Sequence, residues 1–91
     1  MIKTQRNDKL KALRAAANEA IGLIDPTDIR GPVNWADLRC TEARQVLTDA
    51  GETRYEVLIE EADPAADRLQ EAVEKYLTNH GWPGVGVVTE W

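Results

Sequence analysis

A chain of 91 residues makes one small domain, residues 1–91, with a modest core and no room for a second. Hydrophobic residues make up 43% of it and charged residues 30%, a mixture too apolar for disorder, and no apolar run approaches the roughly 18 residues of a membrane helix. The net charge of −5 is unevenly spread, with five basic groups and one acid in residues 1–14 and six basic groups and fifteen acids in residues 15–91.

Leu10, Leu13, Ala17, Ala20, Ile21 and Ile24 recur at spacings of three and four, which predicts an amphipathic helix over residues 1–24. Lys3 and Arg6 fall on the same face, so the first turn is expected to project past the body or to lack structure. Asp25-Pro26 ends the helix, because the residue before a proline is pushed out of the helical region. Residues 25–34 hold Pro26, Gly31 and Pro32 and read as a connector and the one plausible hinge.

Leu38 to Thr48 and Thr53 to Glu61 read as two strands of an antiparallel hairpin turning at Asp49-Ala50-Gly51-Glu52. In the second, Tyr55, Val57 and Ile59 alternate with Arg54 and Glu56, the period of a half-buried strand. In the first, Leu38 and Cys40 share their parity with Glu42 and Arg44. A bulge near Ala43 resolves that conflict, since one extra residue exchanges the faces of everything beyond it.

Asp63-Pro64 is expected to open a second helix, with a capping aspartate, proline at the first position and Asp67 in the first turn. Leu69, Ala72, Val73, Tyr76 and Leu77 form its buried stripe, and His80-Gly81 supplies its stop. Val85 to Trp91 is the last strand, and a connection from strand through helix to strand should return it parallel to the second. The expected fold class is α+β: an N-terminal helix and then a ββαβ unit over residues 34–91. Its three-stranded sheet is expected to have the first strand at the centre and the helices packed on one face.

Nucleophilic catalysis needs a serine or cysteine beside a base, and the chain has one cysteine, one histidine and no serine. Cys40 reads as a buried structural thiol and His80 as a helix-end group bonded to the last carbonyls. Two Cys or His residues are too few for zinc. Glu60, Glu61, Asp63 and Asp67 offer oxygen ligands, yet adjacent Glu60 and Glu61 should point to opposite strand faces. No enzymatic activity, cofactor or metal is expected. The opening residues lack the apolar segment of an export signal, and a lone cysteine suits a reducing compartment, so a cytoplasmic protein is expected.

The remaining signals are surfaces. Glu60, Glu61, Asp63, Asp67, Glu71 and Glu74 form an acidic tract, either a solubilising face or a docking patch for a basic partner. Trp35, Trp82 and Trp91 stand at element boundaries, where tryptophan plugs the end of a core or anchors a partner. Lys3, Arg6, Lys9, Lys11 and Arg14 form a candidate phosphate-contacting arm, opposed by the acidic body. The expected function is a non-catalytic protein-binding module, adaptor or inhibitor, using the acidic helix face and open sheet with another protein or in a homodimer. The alternative is a nucleic-acid-linked regulator using the basic helix, or an acidic inhibitor imitating nucleic acid.

Overall fold

The computed structural model describes the backbone of residues 2–91 and the side chains of residues 8–91. Two α-helices and a three-stranded mixed sheet make an α+β fold. The elements are α1 (Ile2–Gly22), a short 3-10 turn (Pro26–Asp28), β1 (Arg39–Leu47), β2 (Thr53–Glu60), α2 (Leu69–Asn79) and β3 (Gly86–Glu90). Along α1 the stripe of three- and four-residue spacing buries Leu13, Ala17 and Ala20. They join Leu69, Val73 and Leu77 of α2 and Cys40, Val57 and Ile59 of the sheet in one core.

The sheet order is β1-β2-β3, with β1 antiparallel and β3 parallel to β2. This corrects the expectation of β1 at the centre. The reason lies in the side chains: β2 carries Tyr55, Val57 and Ile59 at its inward positions, where β1 carries the smaller or more polar Gln45, Ala43 and Cys40. Placing the more apolar strand between two others removes the most apolar surface from water. The crossover through α2 then joins adjacent strands and passes over no third one.

The register of β1 against β2 shifts between Cys40 and Glu42, two residues ahead of the bulge the parity conflict implies. Leu38 and Cys40 are buried before the shift, and Ala43 and Gln45 are half-buried beyond it. Asn18 of α1 closes the edge of β1 at the same point. Its side-chain oxygen accepts from the Cys40 N–H at 2.8 Å and its side-chain nitrogen donates to the Cys40 carbonyl at 3.1 Å. One amide thus imitates a neighbouring strand for two backbone groups that need partners.

The connector expected as a hinge is fastened to the body along residues 30–34. Arg30 bridges Asp67 and Val33 bridges Ala62, the Asn34 N–H donates to the Glu61 carbonyl at 2.9 Å, and the Asp63 N–H donates to the Pro32 carbonyl at 3.0 Å. Gly31 makes this approach possible: at φ 115° an added Cβ would lie 2.9 Å from the Ala66 Cα. The same pinning moves the start of α2 to Leu69. Asp63 takes the Ala65 N–H on its carboxylate at 2.8 Å and the Ala66 N–H on its carbonyl at 2.7 Å, so Asp63-Pro64 makes a tight turn. Arg68 then adopts a left-handed φ of 67° before the helix begins. The end of α2 follows the sequence pattern, with Gly81 at φ 91° and the Trp82 N–H on the Leu77 carbonyl at 2.8 Å.

Two substitutions test these fastenings by urea unfolding. Asn18→Ala should lose about 1–2 kcal/mol, because two backbone groups lose a partner at a partly buried site. Gly31→Ala should lose roughly 1–3 kcal/mol from backbone strain and the approach to Ala66. Wild-type midpoints in both would show that the edge and connector are not held in this way.

Candidate functional site

Alternation along the strands gives the sheet a second face, turned away from the core. Leu58 and Val88 are register neighbours there and half-buried. Beside them Arg44 Nε donates to Glu56 Oε1 at 2.9 Å, the one ion pair formed among the described residues. The Glu56 carboxylate, by hydrogen bond and then by charge, pushes the Arg44 pKa further up. Arg54 reaches from β2 across to β3, where a Cβ on Gly86 would meet its guanidinium at 2.8 Å. Glycine at position 86 is what leaves room for that cation to lie over β3.

The opposite end of this face is acidic. Glu60 and Glu90 are register neighbours on β2 and β3, and with Glu61 and Trp91 they line a hollow of about 240 Å3. Glu61 reaches it because its backbone leaves the strand at φ 68°. Strict alternation would have sent it to the other face. Trp91 is 62% exposed. The Glu60, Glu61, Glu90 and Trp91 corner gathers two of the expected acidic residues and one expected tryptophan, and adds Glu90, which the tract along residues 60–74 passed over. Only the parallel pairing of β3 with β2 could have signalled it.

The rest of the acidic tract is dispersed. Asp63 and Asp67 belong to the turn and bridge that hold the connector. Glu71 lines a groove of about 550 Å3 between the end of α1 and α2, with Leu23, Asp28, Arg68 and Lys75, and Glu74 is exposed on α2. Trp82 is half-buried and meets Tyr55 edge-on, 6.1 Å between centroids at 88°, a core plug. Trp35, 39% exposed, lies in the segment before β1 and does not line the hollow that holds Trp91. Of the basic arm, Lys9 places its Nζ 5.1 Å from the Tyr55 ring centroid. Lys11 and Arg14 share a hollow of about 270 Å3 with Glu42, whose charge opposes a phosphate. Lys3 and Arg6 lie outside the residues whose side chains are described.

Cys40 is buried, its thiol 3.4 Å from the Glu42 carbonyl, and burial pushes its pKa up. His80 Nδ1 lies 2.8 Å from the Tyr76 carbonyl, and its ring stacks on Tyr76 at 3.9 Å and 15°. The Tyr76 hydroxyl donates to Glu19 Oε2 at 3.1 Å and ties α2 to α1. Among the described residues no three of His, Cys, Asp and Glu converge in a geometry that would hold a metal ion. No helix there is long and apolar enough to cross a membrane.

Desolvation and the Glu19 bond push the Tyr76 pKa up. A folded value above the unfolded one gives stability that is present at neutral pH and lost as pH rises through the folded value, above about pH 10 for a tyrosine. Urea midpoints should therefore fall less steeply between about pH 9 and pH 11 in Tyr76→Phe than in the wild type, and equal slopes would remove this contribution. Comparison with known proteins finds no match, whether to a family's sequence pattern, to a curated protein or to a solved structure.

Proposed function

We propose that the protein is a small non-catalytic binding module, adaptor or inhibitor, that engages a protein through the Glu60, Glu61, Glu90 and Trp91 corner. The observation that carries this reading is an exposed tryptophan ringed by carboxylates on strands that face each other in register. Exposed indole beside fixed charge is the composition of a binding hot spot. Like charges on neighbouring strands destabilise a sheet until a cation meets them. Glu71 and Glu74 on α2 add to the negative potential that a basic surface would meet. In this reading the ββαβ unit of residues 34–91 is the platform, and its helix-free sheet face flanks the contact. The sole cysteine and histidine are tied into the framework, which favours binding over chemistry. The nucleic-acid reading draws less support, since Lys9 sits over Tyr55 and Lys11 and Arg14 lie beside Glu42.

Immobilised protein, offered an extract of its own cell and a differently tagged copy of itself, should retain a protein partner whose binding weakens with salt. Trp91→Ala and Glu90→Lys should each weaken that binding about tenfold or more, as loss of an anchor does. A partner held equally well by both variants, or none retained at physiological salt, would sink the reading.

A further inference from the structure

Resting on the binding-module reading above, the geometry points to the partner: a second copy of this chain, paired antiparallel along the outer edge of β3 so that two sheets become one. Among the described residues β3 pairs with β2 alone, and an unpaired edge is a template for another strand. The outer edge of β1 is closed at Cys40 by Asn18. No side chain among the described residues closes the edge of β3 in this way, and β3 is the edge that carries the charges described next.

What selects a second copy is the charge along that edge. On the face away from the core, β3 carries the Arg54 guanidinium over Gly86 at its start and Glu90 beside Glu60 at its end. A two-fold antiparallel pair centred on Val88 sets Gly86 of each copy opposite Glu90 of the other. Each Arg54 then meets the carboxylates of the other copy, and symmetry repeats the contact at the far end. Val88 faces its own counterpart, an apolar cross-strand pair. Thr89 faces Val87, and Trp91 comes opposite Val85 and loses exposure. A slip of one residue would send Val88 to the wrong face, and a parallel arrangement would set Arg54 against Arg54. A foreign strand would have to supply both charges in this order, whereas this chain supplies them by its own two-fold complement.

Light scattering after size exclusion, run from about 1 µM to about 1 mM, should show the mass rising to twice the monomer. Arg54→Glu and Glu90→Arg each bring like charges together across the edge and should raise the dissociation constant about tenfold or more. The double variant R54E/E90R should recover dimerisation, which also shows that the single changes act through the pairing and not through misfolding. A wild type that stays monomeric throughout, single variants that dimerise normally, or a double variant that fails to recover would each overturn the proposal. A monomeric wild type that still captures another protein through Trp91 and Glu90 would overturn it and leave the binding-module reading standing.

Discussion

Val57 and Ile59 reach 0% exposure because strands lie on both sides of β2 and two helices cover the face they occupy. Fully burying side chains of this size stabilises by roughly 1.5–3 kcal/mol each, a large share of what so short a chain can gather. Strands and helices are arranged around that burial. β1, with Glu42 and Arg44 among its residues, fits at one edge, and β3, five residues long, completes the other. α1 and α2 meet over them, joined by the Tyr76 to Glu19 hydrogen bond.

A sheet of three strands has two edges, and the molecule treats them differently. β1 is bulged, and Asn18 closes its edge at Cys40, devices that discourage a further strand there. β3 has no equivalent seal among the described residues, and it is bordered by a cation at one end and a pair of carboxylates at the other. Glu60 and Glu90 repel each other within one copy. That repulsion costs stability in one copy, and in the proposed dimer the Arg54 of the second copy offsets it.

The parts of this fold that depend on neighbours in sequence were legible. The alternation of Tyr55, Val57 and Ile59, the stripe of α1, the parity break in β1 and the His80-Gly81 stop each follow from local geometry. The parts that depend on distant pairing were not. Asp63-Pro64 has every local mark of a helix start, yet the bridge between Arg30 and Asp67 claims those residues for the connector. The position of β2 depends on summed burial across the sheet, which no single stretch of sequence encodes. The candidate site was half visible: Glu60, Glu61 and Trp91 stood out as charge and indole, but the place of Glu90 beside them required the register of β3. The left-handed turn at Glu61 that brings its carboxylate to that corner leaves no signature in a non-glycine residue.

β2 holds the middle of the sheet, and among the described residues β3 is left with the outer edge along which the dimer is proposed. An isotope-filtered NMR experiment on an equal mixture of labelled and unlabelled protein, at a concentration near 1 mM where weak dimers populate, reads this directly. In the proposed dimer the Val88 methyls of the two copies touch, and so do Val87 of one and Thr89 of the other, and both contacts should be observed. Intermolecular contacts confined to β1 or the helices, or none at all, would contradict it.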